Sequence, residues 1–513
     1  METHIEFWQN IPFFCIMISM FSGIISSVLK KEAAKRLNTV VIGTVVILSA
    51  ILLVNLLGFD GSYTYMMGHF PAPWGNEIRA GVLEAFMAMF FAIIMFLSIL
   101  GGRKKLIGEV EESKHNLYYI LTNLLLSSLL ALVYTNDLFT AYVFIEINTI
   151  AACGLIMIRQ NGRTIEAAIR YMIMSQLGSG LLLMGICMLY DITGHLLMSN
   201  IHQAVVQVIA DGTYKIPLLV TIALISVGLA IKAALFPFHS WLPDAYGYST
   251  VSSAAMLSSL VSKGYIFLLI KIFYRVIGFD IICNSRIINI LFVFGLAGMI
   301  FGSLSAIKEN DIRRMIAFSS IAQIGYIYMG IGLGTTVGTI ASIFHILAHA
   351  ATKSLLFVSA IGLTDVSDGK RPFIYLTGSG YRHKIAGVGF TVGALSMVGI
   401  PIFSGFVSKL LFSEAAIYSN NKMLPTLIVL GISTILNAIY FMKTVIRIYT
   451  PTQLNGEKQF LVEDEKVQCK IITMRDEKVY AFTICLFILL NIVLGMMSQP
   501  IVDLIKTGLE NFA

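Results

Sequence analysis

Apolar residues run in about fourteen blocks of roughly 20 residues along the whole chain, and a helix of that length crosses the hydrocarbon core of a bilayer. The blocks lie near 11–29, 37–58, 80–100, 116–135, 137–158, 166–190, 216–236, 249–277, 287–306, 314–334, 336–363, 386–415, 423–448 and 480–506. The pattern predicts an all-α polytopic membrane protein. The first block is long and lacks a small-residue cleavage site, so it reads as a retained span, not a leader. Between blocks 13 and 14 lies a charged segment, 450–478. It is the only sizeable polar stretch and is too short to be a catalytic domain.

Blocks 4–8 (116–277) and 9–13 (287–448) have nearly equal length and five helices each. Five is odd, so the second unit enters from the opposite side and the two form an inverted repeat. The N-terminal helices (1–115) and the polar loop with the last helix (449–513) flank them. The fourth helix of each unit is interrupted by proline, "IKAALFPFHSWLP" at Pro237 and "MVGIPIFSGFVSK" at Pro401. Matched helix breaks in inverted halves point to a transport site.

Lys and Arg cluster in alternate loops. Odd-numbered loops hold "KKEAAKR" (30–36), "RKK" (103–105), Arg159 and Arg163, "KENDIRR" (308–314), and "KR" (370–371) with "RHK" (382–384). Even-numbered loops hold little beyond Arg79, Lys215, Arg286 and Lys422. The positive-inside rule then places the odd loops in the cytoplasm and both termini outside. The seventh loop is the exception, with neither Lys nor Arg. The formal net charge of +7 therefore reads as topology, and no nucleic-acid partner is expected. Only 13% of residues are charged, too few to cover a soluble protein of 513 residues. The six cysteines are scattered without a CxxC pair, which argues against structural zinc or an iron–sulfur cluster.

Charges inside the spans are the candidate chemistry, because an ion at mid-bilayer costs roughly 2.5–3.5 kcal/mol on insertion scales. Glu146 and Lys263 lie about ten residues from either end of their blocks, too deep for easy snorkelling. A purely structural Glu–Lys pair is the alternative for these two. Lys232 and Lys409 accompany the two breaks in the last third of their runs, where a lysine stem can also reach the interface. His345, His349 and Lys353 recur every four residues and share one helix face. Two histidines four apart could ligate haem or metal, but no second pair and no HExxH motif accompany them. Exchangeable protons fit that face better. Nearby Tyr, Ser and Asn residues are common enough to be packing and are assigned no role.

Ionisable groups on several spans in alternating chemistry form a lateral chain within the bilayer, the mark of a proton or ion route. At about 6 Å and an effective dielectric near 20, a carboxylate attracts an ammonium by roughly 2.8 kcal/mol, about two pH units. Moving Glu146 relative to Lys232 would load or unload the lysine. Driving one charge against about 200 mV needs roughly 4.6 kcal/mol, so a relay of two or three switches is required. The proline after Lys232 ends a half-helix and frees carbonyls that admit water beside it.

The segments "AIKAALFPFHSWLPDAY" (230–246), "SIFHILAHAATKSLLFVSA" (342–360) and "GIPIFSGFVSKLLF" (399–412) resemble the antiporter-like membrane subunits. That family is shared by respiratory complex I, Mrp-type cation/proton antiporters and membrane-bound energy-converting hydrogenases. The resemblance spans nearly the whole chain. It implies fourteen helices with two inverted five-helix units. It also implies a Glu146–Lys232 pair, then Lys263, then His345, His349 and Lys353, then Lys409. Lysine at 409 is unlike the middle complex I subunit, which carries glutamate. The segment "HFPAPWGNEIRAGVLEAF" (69–86) is similar to the Mrp D-type and hydrogenase branch, but that branch usually has aspartate near the position of Glu84.

The resemblance further implies a prokaryotic-type cytoplasmic membrane and other membrane subunits as partners, further antiporter-like ones included. The ion is H+, with exchange for Na+ left open by the sequence, and the scattered cysteines and absent ligand pairs give no reason to expect a cofactor, metal or catalytic redox site in this chain. Redox chemistry would belong to a host of the hydrogenase or NADH/ferredoxin dehydrogenase type. Two other readings stand beside ion translocation: a scaffold subunit whose buried charges serve packing, and a redox subunit that itself binds quinone or metal. The missing cysteine clusters and paired haem ligands argue against the last.

Overall fold

The computed structural model describes residues 6–58, 61–67, 70, 75–419, 421–451 and 471–512. Most of the polar segment 450–478, including Cys469, and part of the segment 69–86 lie outside the described residues. Helices dominate. They are α1 Ile11–Val28, α2 Lys31–Leu57, α3 Val82–Glu109, α4 His115–Tyr134, α5 Leu138–Met157, α6 Gly162–Thr193, α7 Met198–Ala210, α8 Lys215–Ala233 and α9 Leu242–Tyr248. Then follow α10 Val251–Ile277, α11 Arg286–Lys308, α12 Ile312–Gly332, α13 Thr336–Asp365, α14 Lys384–Val398, α15 Ser404–Ile417, α16 Met423–Ile448, α17 Lys478–Met496 and α18 Ser498–Glu510. A short antiparallel hairpin, β1 Tyr63–Met66 with β2 Glu77–Ala80, precedes α3.

Thirteen of these helices are long and apolar enough to cross a membrane among the described residues. The α14–α15 pair supplies one further apolar stretch, broken at 399–403 around Pro401. The α8–α9 stretch breaks at 234–241 around Pro237, where Ala234 takes a left-handed backbone at φ +63°. Proline supplies no N–H at either place, so the ladder cannot continue through it.

The last expected span, 480–506, is too long. The helix stops at Met496, and α18 is a separate amphipathic segment. Gln499, Asp503 and Lys506 give α18 a polar face that a bilayer core would reject. Its C-terminal end docks on the even-loop side: Asn511 O accepts from Arg79 Nη2 at 2.8 Å, and Phe512 lies under the Arg275 guanidinium at 4.4 Å.

Helix α10 is buried throughout and α13 over 338–364, with the other spans around them. Small residues set the closest approaches. Gly178 on α6 faces Gly228 on α8 so closely that a Cβ at 178 would sit 2.8 Å from the Gly228 carbonyl oxygen and 3.1 Å from Lys232 Cγ.

The odd-numbered loops meet on one face. Lys31 pairs with Glu112 at 2.9 Å, Lys104 with Glu477 at 2.6 Å, and Lys105 with Asp365. The cation-free seventh loop lies on this face and takes its cations from its neighbours. Asp244 pairs with Arg170 at 3.0 Å and with Arg314. Four consecutive carbonyls at the end of α9 accept from three guanidiniums: Tyr246 (3.2 Å) and Ser249 (2.5 Å) from Arg313, Gly247 (2.7 Å) from Arg371, and Tyr248 (3.1 Å) from Arg159. The end of a helix leaves such carbonyls orphaned and partly negative, so cations settle there.

Candidate functional site

Asp137 caps the N-terminus of α5 through the Thr140 N–H, at 2.6 Å, and the helix then carries Glu146 into the bilayer region. The Glu146 side chain is 22% exposed on the rim of the chain. Its carboxylate accepts from Ser179 and, at 3.3 Å, from Gln176 Nε2, both on α6. Lys232, fully buried in the last turn of α8, brings its Nζ to 3.6 Å from Glu146 Oε1. The same ammonium donates to Thr149 Oγ1 at 2.8 Å, one turn beyond Glu146. It does not snorkel.

From Lys232 the polar contacts pass to α10. Thr149 Oγ1 lies 3.4 Å from the Tyr265 hydroxyl, which donates to Asn148 Oδ1 at 2.9 Å. The Lys232 ammonium also stands 5.6 Å from the centre of the Tyr265 ring. Two residues before Tyr265, Lys263 is completely buried and donates to the Ser258 carbonyl at 2.5 Å. A π-helical turn, Leu257–Val261, precedes it. Such turns widen the helix and occur often at functional positions.

Serines join α10 to α12 and α13. Ser258 and Ser320 hydroxyls lie 3.1 Å apart, and Ser259 and Ser354 hydroxyls 2.7 Å apart. Beside them Lys353, fully buried, donates to Ser319 and to the Ile316 carbonyl at 2.8 Å. One turn back along α13 is His349, and another turn back is His345, with ring centres 6.0 Å apart. His345 Nδ1 meets Ser408 Oγ at 2.5 Å, while neither ring nitrogen of His349 has a hydrogen-bond partner among the described residues.

Lys409 ends the row. Its Nζ donates to the Val398 carbonyl at 2.6 Å and the Met397 carbonyl at 3.2 Å, across the break to the end of α14. The break thus exposes carbonyls that hold the lysine. His345, His349 and Lys409 share a cavity of about 10 Å³ with Gln323, Thr352 and Ser396. That is roughly the room of one water molecule. Asn491 on α17 closes the site from behind, its Oδ1 accepting from Thr352 (2.6 Å), Ser404 (3.2 Å) and Ser396 (3.4 Å).

All seven expected ionisable residues therefore fall in one largely buried band, with Pro237 and Pro401 at the breaks beside it. Tyr265, Asn148 and the serines are among the Tyr, Ser and Asn residues to which the sequence assigns no role, and Thr149 carries no signal there at all. Only their positions on facing helices bring them within hydrogen-bond distance of one another. Glu84 and Arg275 pair directly, both nearly inaccessible, and Lys271 donates to the Val133 (2.7 Å) and Thr135 (2.6 Å) carbonyls at the end of α4. Lys271 and Arg275 stand near the end of an apolar block, where a cation reads as interfacial, so no local signal singled them out.

A polytopic helical chain with two interrupted helices and buried titratable groups beside them has the form of a membrane transport subunit. The chain belongs to the family described as "NADH:quinone oxidoreductase/Mrp antiporter, TM", whose model matches residues 135–436. That match contains every residue from Glu146 to Lys409 named above. The resemblance read from the sequence holds.

Over 446 residues the chain is 30% identical to NADH-quinone oxidoreductase subunit N of Desulforudis audaxviator, covering 86% of each. It is 26% identical to the D component of the Na(+)/H(+) antiporter of Alkalihalophilus pseudofirmus, covering 86% of this chain and 84% of that one. A chain of the membrane-bound sulfane sulfur reductase, an archaeal respiratory membrane complex, superposes with a TM-score of 0.86 at 25% identity, covering 98% of both.

Proposed function

We propose that this chain is the ion-translocating subunit of a multisubunit redox-driven pump or Mrp-type antiporter, carrying protons along Glu146, Lys232, Lys263, Lys353, His349, His345 and Lys409. In an antiporter host, Na+ is the exchanged ion. The observation that carries the reading is the Lys232 ammonium, fully buried and held between Glu146 at 3.6 Å and Thr149 at 2.8 Å. At that separation and an effective dielectric near 20 the attraction is roughly 4–5 kcal/mol, similar to the cost of moving one charge against about 200 mV. Partial exposure of Glu146 discounts it, so one pair is marginal and a series suffices. The exposed edge of Glu146 also lets a neighbouring membrane subunit act on the carboxylate.

The inverted five-helix units, 116–277 and 287–448, fit the two breaks, each of which has a lysine of the row at its edge. The gathering of basic loops on one face supports a cytoplasmic position for that face and an outer position for both termini.

A scaffold role is favoured by one feature. Lys263 donates to a backbone carbonyl, as a purely structural lysine would. The Lys263→Ala variant separates the readings in the reconstituted complex. Translocation requires lost proton uptake in an intact assembly, whereas a scaffold requires lost assembly. Full uptake by the variant would overturn the proposed route.

A further inference from the structure

The arginine face contains a cavity of about 580 Å³ beside Tyr248 at the end of α9. Its wall includes Arg159, Arg163, Arg371, Asp311 and Tyr248, and the start of the 32-residue helix α6 at Gly162. Three guanidiniums face one carboxylate there. That carboxylate is already engaged, since Asp311 accepts from the Arg313 and Arg314 backbone N–H groups at 2.8 and 3.2 Å. Glu109 lies behind Arg159 at 3.9 Å and accepts from the Val251 N–H at 3.2 Å.

The cations are not used up by the protein. Arg159 and Arg371 each spend one terminal nitrogen on an α9 carbonyl, through Nη1, which leaves the other side of each fork. Arg163 is exposed, and its guanidinium carbon stands 5.7 Å from the Tyr248 ring centre. Burial and the neighbouring Arg159 both push the Arg371 guanidinium below its ordinary range, while Asp311 and Glu109 pull the other way. Guanidinium forks with spare donors match phosphate and carboxylate oxygens bidentately, and three forks around one space suit the several free oxygens of a phosphate.

We propose that this cavity binds a phosphate group, held by the Arg159, Arg163 and Arg371 forks. The source is either the headgroup of an anionic phospholipid or free phosphate. Occupancy bears on the transport element directly, because Arg159 and Arg371 are the same side chains that hold the end of α9.

The test uses the full complex in nanodiscs and the Arg163→Gln variant, whose exposed side chain makes no hydrogen bond to the end of α9 among the described residues. Thermal stability and retained lipid are measured in phosphatidylcholine alone, with phosphatidylglycerol added, and with inorganic phosphate added, against sodium chloride of equal ionic strength. A lipid site gives stabilisation by phosphatidylglycerol and its retention through washing, both weakened about tenfold in apparent affinity by Arg163→Gln. A free-phosphate site gives the same dependence with inorganic phosphate alone. If neither probe exceeds chloride, or if Arg163→Gln responds as the unaltered protein does, the cavity is not a phosphate site. Arg371→Lys adds a second check, since it keeps the charge and loses the fork.

Discussion

Lys232 and Thr149 are joined by a 2.8 Å hydrogen bond from Nζ to Oγ1, one helical turn beyond the carboxylate that pairs with the same ammonium. The lysine therefore has a neutral acceptor as well as a charged one. Replacing Thr149 with valine keeps the shape and removes the neutral acceptor. Hydrogen bonds to charged groups are worth about 1.5–3 kcal/mol, so proton uptake by the reconstituted complex should fall about tenfold or more. Thr149→Ser should retain most of it. Unchanged uptake in Thr149→Val vesicles would remove this contact from the route.

Gly178 sets how closely α6 approaches Lys232. An added Cβ meets the Gly228 carbonyl and the lysine stem, so Gly178→Ala should destabilise the chain by about 1–3 kcal/mol. It should also displace Ser179 from Glu146. Two residues on, Gly180 has nothing within 4 Å of an added Cβ, and Gly180→Ala should be neutral or stabilising by about 0.5–1 kcal/mol. Melting curves of the two variants side by side check the contrast.

The buried Glu84–Arg275 pair lies apart from the row. Removing one partner leaves the other charge buried, so Glu84→Gln should cost about 3–5 kcal/mol. Combining it with Arg275→Met should recover most of that loss. Equal melting temperatures for single and double variants would show that the pairing contributes nothing.

Asn491 gathers three hydroxyls from α13, α14 and α15 onto one oxygen. Asn491→Leu strands those donors beside the Lys409 break and should lower stability by about 1–3 kcal/mol. The thermal midpoint of the purified complex reports it, and no shift would mean the hydroxyls find other acceptors.

What the sequence determined is what local chemistry can carry. Hydrocarbon rejects charge and unpaired backbone, so the apolar blocks, the breaks at Pro237 and Pro401, and the charges from Glu146 to Lys409 could all be read without a fold. The end of α17 could not, because hydropathy runs on past Met496 into an amphipathic helix that only docking separates. Beyond the expected Glu146–Lys232 pair, tertiary structure decided the partners. Glu84 meets Arg275 across 191 residues, Lys409 reaches back to the α14 carbonyls, and a loop without cations borrows arginines from three others. The reason is physical: a buried ammonium or guanidinium takes whichever carbonyl or hydroxyl packing presents, and packing is a property of surfaces far apart in the chain.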